Sequence, residues 1–276
     1  MLSSSFRAPI AALFVPGDRP ERFAKAAASG ADAVVLDLED GVAPAARDVA
    51  RRSVALHGIQ SVPVIIRINA AASEAFEGDL IALRAARFDG LMLAKAETAA
   101  DIQRVHDLLG YQVPVIALVE TANAFIDLAG LLQAPGVVQA ALGALDLALD
   151  LGCQPSWGAL AYCRGVLVLQ SRLAGLPPPL DGIATRFDDP EAVHHEALMA
   201  AGLGFGGKLA IHPRQVLPIK QAFVPDDQAI AWARAALKAC DSGAAVQLDG
   251  EMIDRPLIER ARRILARAIN TGDCAV

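Results

Sequence analysis

Cysteine is scarce in this sequence, and its spacing excludes several common uses of the residue. The chain has four cysteines among 276 residues, Cys153, Cys163, Cys240 and Cys274, and no two of them form a C-x-x-C pair. Thioredoxin-like and zinc-ribbon motifs need that pair, and a disulfide framework is typical of small secreted proteins. We therefore interpret the thiols as buried or chemically idle.

Long apolar runs, basic charge and aromatic residues are also in short supply. No uninterrupted apolar run approaches the roughly 20 residues that span a bilayer, and residues 1–9 lack the apolar stretch of a signal peptide. The net charge is −6, the basic residues are dispersed, and aromatic residues make up 5%, a composition that argues against nucleic-acid binding. We expect a cytoplasmic protein with neither a membrane nor a nucleic acid as partner.

Hydrophobic residues, by contrast, make up 54% of the chain and fall into short runs that alternate with longer Ala-rich stretches. Eight runs are nearly continuously apolar, as in strands buried on both faces of a parallel sheet. They are residues 11–15, 33–38, 64–68, 90–94, 115–119, 138–142, 182–185 and 208–211. Eight strand-then-helix units predict an α/β fold of the (β/α)₈ TIM-barrel type. A doubly wound open sheet is the alternative, because spacing alone does not prove closure.

The barrel pattern is complete by residue 225, so residues 1–225 are predicted to form the catalytic domain. Residues 226–276 predict a C-terminal helical arm or lid, with one helix at 226–239, a Gly-rich polar break at 241–250 and a second helix at 256–268. About 50 residues are few for an independent core. We therefore expect the arm to be an appendage of the barrel.

Charged and polar residues stand at the ends of the predicted strands, where a barrel of this type carries its active site. In chain order they are Asp37, Glu39, Asp40, Arg67, Asn69, Lys95, Glu120, Asp146 and His212. Any one of them could cap a helix, but Arg and Lys are poor N-caps. The joint pattern therefore indicates a functional site.

Glu120 and Asp146 are the candidate metal ligands. They follow adjacent predicted strands, so their carboxylates could reach one point above the barrel. Two carboxylates together with water and substrate oxygens suit Mg²⁺, a hard cation that keeps several waters. Zinc is less favoured because no His or Cys cluster lies near in the sequence.

Arg67 offers a planar fork that can hold a substrate carboxylate through two hydrogen bonds. It could equally pair with Asp37 or Glu39 from the neighbouring strand, and both contacts are compatible with one network. We expect Glu39 to hydrogen-bond the metal's waters or to orient Arg67. Arg67 and Lys95 would offset the acidic residues of the site.

Several motifs, spread over nearly the whole chain, occur in one order. They are FVPGDRPER at 14–22, LDLED at 36–40, RIN at 67–69, ETA at 120–122, GALDL at 143–147, DG at 181–182, GFGGKLAIHP at 204–213 and DGEMID at 249–254. Together they resemble the citrate lyase β-subunit-like family (HpcH/HpaI aldolase/citrate lyase), which includes citryl-CoA, malyl-CoA and citramalyl-CoA lyases. The resemblance implies a TIM barrel that binds Mg²⁺ through Glu120 and Asp146.

The resemblance also implies roles outside the metal pair. Arg67 would bind the carboxylate or carbonyl end of the substrate, and Arg19 and Lys25 would help to hold the phosphates of CoA. Asp254 matches an acid that enters the site from the C-terminal arm of a neighbouring subunit. A homotrimer or hexamer is implied.

The candidate residues fall into two further groups. The candidate catalytic residues are Asp254, Arg67 and Glu39. The candidate substrate-binding residues are Arg67, Glu120, Arg19, Lys25, Asp37 and Lys95.

The implied function is an Mg²⁺-dependent carbon–carbon lyase. It would cleave or form a 3-hydroxyacyl-CoA, such as citramalyl-, malyl- or citryl-CoA, with acetyl-CoA and an α-keto acid as the fragments. One alternative is a class II pyruvate aldolase that acts on CoA-free hydroxy-keto acids. A second is a non-catalytic acyl-CoA-binding regulator, which the presence of Glu120, Asp146, Arg67 and Asp254 disfavours.

Overall fold

The computed structural model describes residues 6–240, 246–248 and 251–272. The chain divides into two compact units, one ending at Lys220 and the other beginning at Gln221. No helix in these described ranges has the length and apolar character needed to cross a membrane.

The first unit is a closed barrel of eight parallel strands in chain order. The strands are β1 (Ala11–Pro16), β2 (Ala33–Asp37), β3 (Val64–Ile68), β4 (Gly90–Leu93), β5 (Val115–Val119), β6 (Val137–Leu142), β7 (Leu180–Asp181) and β8 (Gly207–Ala210). Strand β8 pairs in parallel with β1, with Lys208 beside Ala11. This pairing closes the sheet, so the predicted (β/α)₈ barrel is confirmed and the open-sheet alternative is wrong.

Helices follow the strands around the outside of the barrel. They are α1 (Phe23–Ala27), α2 (Arg47–Ala55), α3 (Phe76–Leu83), α4 (Ala99–Leu109), α5 (Leu128–Leu132), α6 (Ala144–Asp150), α7 (Ala161–Leu173), α8 (Pro190–Leu203) and α9 (Val216–Phe223). Local sequence sets both ends of α4. Thr98 and Asp101 form a reciprocal capping box at the start of α4, and Gly110 ends it in the left-handed conformation, at φ 84°.

Strand β7 lies earlier in the chain than the sequence pattern predicted. The apolar run at 182–185 was expected to be the strand, but pairing occurs at Leu180 and Asp181, beside Gly207 and Lys208. Leu180 is fully buried in the barrel core. At Gly182 the chain passes so close to β6 that a Cβ would lie 3.0 Å from the Leu142 carbonyl oxygen. The run after β7 lies outside the sheet, and its Ile183 lines the cavity at the rim of the barrel.

The barrel interior is filled by small and branched side chains that alternate with outward-facing ones. The buried interior residues are Ala12, Ala33, Val35, Ile65, Met92, Ile116, Leu118, Ala141, Leu180 and Leu209. Because successive strand residues face opposite sides, the next inward positions belong to Asp37 on β2, to Arg67 on β3 and to Glu120 directly after β5. The same alternation that builds the core thus aims three charged side chains at the C-terminal end of the barrel.

The second unit contains two helices, α10 (Asp227–Cys240) and α11 (Arg255–Gly272), as predicted. Their contact is built on Ala233, Ala236 and Ala261, all fully buried. Between the helices, β9 (Val246–Leu248) and β10 (Glu251–Ile253) form an antiparallel pair that the sequence analysis did not predict. Residues 241–245 and 249–250 of the predicted break lie outside the described residues.

Candidate active site

A cavity of about 320 Å³ opens at the C-terminal ends of the barrel strands. Its charged lining residues are Asp37, Asp40, Arg67, Glu120 and Asp146. Apolar lining comes from Phe14 on β1, from Leu209 on β8, and from Ile183 and Ile211, which follow β7 and β8. Because β7, β8 and β1 are consecutive in the closed sheet, the cavity has an apolar wall opposite a wall that carries the charges.

Arg67 is held in one orientation by Asp37. Its Nε lies 2.7 Å from Asp37 Oδ1 and its Nη2 lies 2.6 Å from Oδ2, a two-point ion pair. Asp37 also accepts hydrogen bonds from the backbone N–H groups of Glu39 and Gly41, each at 2.9 Å. These four bonds fill the acceptor sites of the carboxylate. The geometry therefore favours Asp37 as the support of Arg67 over the direct substrate contact predicted from the sequence.

Glu39 bridges the two cations of the site. Its Oε2 lies 2.9 Å from Arg67 Nη1 and accepts the Asp40 N–H at 3.0 Å, while Oε1 lies 2.7 Å from Lys95 Nζ. Burial opposes the charged form of Arg67, but the hydrogen bond and charge of Asp37, with further negative charge from Glu39, raise the pKa of Arg67 above its ordinary value. The guanidinium is therefore permanently charged, as an anchor for a substrate carboxylate must be.

The Lys95 ammonium lies among three carboxylates. Besides Glu39, its Nζ is 3.6 Å from Asp146 Oδ1 and 3.9 Å from Glu120 Oε1. Burial disfavours the charged form, but the hydrogen bond to Glu39 and the charges of Glu120, Glu39 and Asp146 raise the Lys95 pKa. The Lys95 backbone is also involved, because its N–H donates to Glu120 Oε1 at 2.8 Å from a left-handed conformation, φ 47°.

Glu120 is the most deeply buried carboxylate of the pair predicted to bind metal. Its side chain is 2% exposed, whereas that of Asp146 is 30% exposed. Burial, the Asp146 charge and the Glu39 charge raise the pKa of Glu120 to about 8. Asp146 comes from the first turn of α6, and Gly143 lets that helix start close by, since a Cβ at Gly143 would overlap the Glu120 side chain. The two carboxylates thus converge as predicted.

The charge balance of this rim cluster tests whether a metal ion would fit. The rim cluster consists of Asp37, Glu39, Glu120, Asp146, Arg67 and Lys95. With every carboxylate ionised, four carboxylates against two cations leave an excess of two negative charges, and Asp40, which also lines the cavity, adds a third. An excess of negative charge of this kind favours a divalent cation. Within the described residues no three Asp, Glu, His or Cys side chains are arranged to hold an ion together. A cation here would take two protein ligands and complete its shell with other oxygens, as Mg²⁺ usually does.

The other predicted residues, Arg19, Lys25 and Asp254, are exposed. The Arg19 side chain is 55% exposed, with its Nε 3.9 Å from Asp18 Oδ1, and Lys25 is exposed on α1. Asp254 is exposed in the second unit, where its Oδ1 accepts the Leu257 N–H at 3.2 Å and caps α11.

Two polar residues at strand ends have structural partners. Asn69 is buried, and its Nδ2 donates to the Leu38 carbonyl at 2.8 Å and to Asp79 Oδ2 at 2.7 Å. His212 Nδ1 accepts the Arg214 N–H at 3.2 Å and caps a short 3₁₀ turn. These contacts account for both residues as supports of the strand ends.

The sequence analysis missed two contributors to the site, Phe14 and Gly143. The Arg67 guanidinium lies over the Phe14 ring, 4.7 Å from its centre, a cation–π contact that steadies it. The available signal was parity, because Phe14 is two residues after the inward-facing Ala12. Gly143 carried no such signal, since its role depends on the approach of α6 to β5.

A closed (β/α)₈ barrel with converging carboxylates, an arginine and a lysine at its C-terminal rim has the design of barrel enzymes that use a divalent cation. The chain belongs to the HpcH/HpaI aldolase/citrate lyase family, whose model matches residues 11–213. The resemblance noted in the sequence is therefore confirmed.

Relatives match the chain over almost its full length. The citrate lyase subunit beta-like protein of Mycobacterium tuberculosis is 37% identical over 264 residues, which cover 93% of this chain and 94% of the relative. A (3S)-malyl-CoA thioesterase of Cereibacter sphaeroides is 31% identical over 268 residues, 93% of each chain. The crystal structure of CitE from M. tuberculosis in complex with magnesium, acetoacetate and coenzyme A superposes with a TM-score of 0.87 and 36% identity, covering 95% of this chain and 98% of that one.

Proposed function

We propose that this chain is a magnesium-dependent carbon–carbon lyase that cleaves, or forms, a 3-hydroxyacyl-CoA. The fragments are acetyl-CoA and an α-keto acid. The observation that carries the proposal is the convergence of Glu120, Asp146 and Arg67 on one rim cavity where carboxylates outnumber cations. The similarity to a protein crystallised with magnesium, acetoacetate and coenzyme A supports both the cation and the thioester.

Arg67 is the anchor for the keto-acid carboxylate. Three of its five N–H groups face Asp37 and Glu39 among the described contacts, which leaves two for a substrate. Its fixed orientation places those donors before the substrate arrives, so little conformational freedom is lost on binding. The apolar wall of Phe14, Ile183 and Ile211 would take the remainder of the acyl chain.

Glu120 and Asp146 would hold the Mg²⁺, whose chemistry is to stabilise the negative charge that develops on the substrate's hydroxyl oxygen. During cleavage the bond between the acyl α-carbon and the hydroxyl-bearing carbon breaks. The hydroxyl proton passes to solvent water, and the hydroxyl-bearing carbon becomes the carbonyl carbon of the keto acid. The electron pair of the broken bond remains on the acyl α-carbon as the enolate of acetyl-CoA.

Asp254 would protonate that enolate in cleavage, or remove the α-proton in condensation. Its exposed carboxylate at the start of α11 is compatible with entry into the site of a neighbouring subunit. From the family resemblance we propose a homotrimer or hexamer, with residues 226–276 as the arm and residues 1–225 as the catalytic domain. Arg19 and Lys25, exposed between β1 and the end of α1, would hold the CoA phosphates.

The direct test is acetyl-CoA release from malyl-, citramalyl- and citryl-CoA, with Mg²⁺ and with EDTA. We expect one thioester to give stoichiometric acetyl-CoA and keto acid in Mg²⁺, and no release in EDTA. Release of free CoA with an intact hydroxy acid would point instead to hydrolysis, the activity for which the C. sphaeroides relative is named. Turnover of CoA-free hydroxy-keto acids alone would favour the aldolase.

A further inference from the structure

The Lys95 ammonium has more carboxylate neighbours than one positive charge needs for balance. The three carboxylates of Glu39, Glu120 and Asp146 all lie within 4 Å of its Nζ, at 2.7, 3.9 and 3.6 Å. Two of these carboxylates are the pair assigned to the metal, and the third contacts the ammonium most closely. The nearest partner of Lys95 is thus the one carboxylate of the three that is not assigned to the metal.

Glu39 has both carboxylate oxygens engaged by cations. Oε2 faces Arg67 Nη1 at 2.9 Å and Oε1 faces Lys95 Nζ at 2.7 Å. Its side chain is 7% exposed, so water offers little alternative hydration. Without the ammonium, Oε1 would be a buried anionic oxygen in need of a cation. The nearest available cation would be the one held by Glu120 and Asp146.

We propose that Lys95 is a positioning residue that keeps Glu39 out of the coordination shell of the metal. By holding Oε1 of Glu39, its ammonium limits the protein to two metal ligands and leaves the other positions to substrate oxygens. The proposal rests on the metal site of the proposed function, which it refines.

The test is a double-mutant cycle on Mg²⁺ affinity, measured by titration calorimetry without substrate. Lys95→Met removes the ammonium and keeps the length of the side chain. A unit charge about 6 Å from a divalent ion changes affinity about tenfold even at the dielectric constant of water. We therefore expect Lys95→Met to bind Mg²⁺ at least about tenfold more tightly than the wild type.

The Glu39→Gln substitution distinguishes two effects on Mg²⁺ affinity: the loss of a nearby negative charge and the loss of a metal ligand. In the wild-type background it should weaken Mg²⁺ binding only about tenfold, by loss of a nearby charge. In the Lys95→Met background it should weaken binding on the order of a hundredfold or more, because a ligand is lost there as well. Lys220→Met is the matched control: it removes one lysine from an ion pair with Asp32, 2.8 Å away and before β2, and should leave Mg²⁺ affinity unchanged.

Four results would overturn the assignment. Weaker or equal Mg²⁺ binding by Lys95→Met would mean that the ammonium supports the metal ligands. An equal effect of Glu39→Gln in both backgrounds would mean that Glu39 never enters the shell. Should Lys95→Met fail to fold, a hundredfold loss from Glu39→Gln alone would contradict the proposal, since Glu39 would then be a ligand in the wild type. Absence of Mg²⁺ binding to the wild type itself would overturn the proposed function, and the assignment of Lys95 with it.

Discussion

Two of the charged clusters in the barrel unit differ in how their charges are balanced. Four residues of the rim cluster line the cavity: Asp37, Arg67, Glu120 and Asp146. The outer cluster is formed by Asp181 on β7, Lys208 on β8 and Arg164 on α7, with Asp181 2.8 Å from Arg164 Nε and 2.7 Å from Lys208 Nζ. Since Leu180 and Leu209 face the barrel interior, their neighbours Asp181 and Lys208 face the surrounding helices. Both carboxylate oxygens of Asp181 are therefore used within the protein.

The charges balance within the outer cluster but not within the rim cluster. In the outer cluster Glu196 lies 3.5 Å from Lys208, so two carboxylates balance two cations. With its carboxylates ionised, the rim cluster has two negative charges in excess. Burial and the charges of Asp146 and Glu39 raise the pKa of Glu120 to about 8, because the charge and the backbone hydrogen bond of Lys95 offset them only in part. The comparison shows that a cluster of charged residues in a barrel does not by itself indicate a functional site. An unbalanced charge that faces a cavity does indicate one.

The strongest test of this contrast is the Asp146→Asn variant. Asparagine keeps the shape of a side chain that is 30% exposed, so the fold should remain. Turnover should fall at least about 10³-fold, because stabilisation of the developing oxyanion depends on the bound cation. Steady-state kinetics measures turnover, calorimetry measures binding of the Mg²⁺ cation, and thermal melting checks the fold. Retained turnover would remove the carboxylate pair from the mechanism.

The Asp181→Asn variant of the outer cluster should lower the free energy of unfolding and leave Mg²⁺ binding at the rim cluster unchanged. It leaves Arg164 and Lys208, both buried, without their shared counter-ion. Loss of one partner from a buried pair costs about 3–5 kcal/mol of unfolding free energy. Urea unfolding measures the loss, and Mg²⁺ affinity below the transition should match the wild type. A stable Asp181→Asn protein that no longer binds Mg²⁺ would break the comparison.

Asp254 belongs to neither cluster, so its substitution tests for a catalytic role that depends neither on metal binding at the rim cluster nor on the stability of the outer cluster. Asp254→Asn retains a good N-cap for α11, and thermal melting should be unchanged. Turnover should fall roughly 10²-fold, the lower end of general acid–base effects, with unchanged Mg²⁺ affinity. Mixing this variant with Asp146→Asn protein should restore part of the activity if the acid acts across subunits. An unchanged rate for Asp254→Asn alone would make the arm structural.

The difference between the clusters also explains what the sequence could predict. Strand periodicity predicted the barrel, and position at the ends of the predicted strands placed Asp37, Arg67, Glu120 and Asp146 on one rim. The family motifs added Asp254. The partners of Lys95 and the overlap at Gly143 depend on how separate loops meet, which no local pattern encodes. The same holds for β7, because its position at Leu180 and Asp181 is set by pairing with β6 and β8, which are distant in the sequence.

The smallest predicted effect concerns pH and again separates the two clusters. The folded state raises the pKa of Glu120 from 4.5 to about 8, so the folded protein holds this proton more tightly than the unfolded chain. The resulting stability is fully present below pH 4.5 and is lost as pH rises through 8 in EDTA. Mg²⁺ binds the deprotonated carboxylate, so the rise in melting temperature that it causes should grow from pH 6 to pH 9. In Glu120→Gln that growth should be largely lost, whereas Asp181→Asn, although less stable throughout, should retain it. A magnesium-induced shift that stays constant with pH in the wild type would show that Glu120 does not exchange its proton for the ion, and the excess negative charge of the rim would then need another explanation.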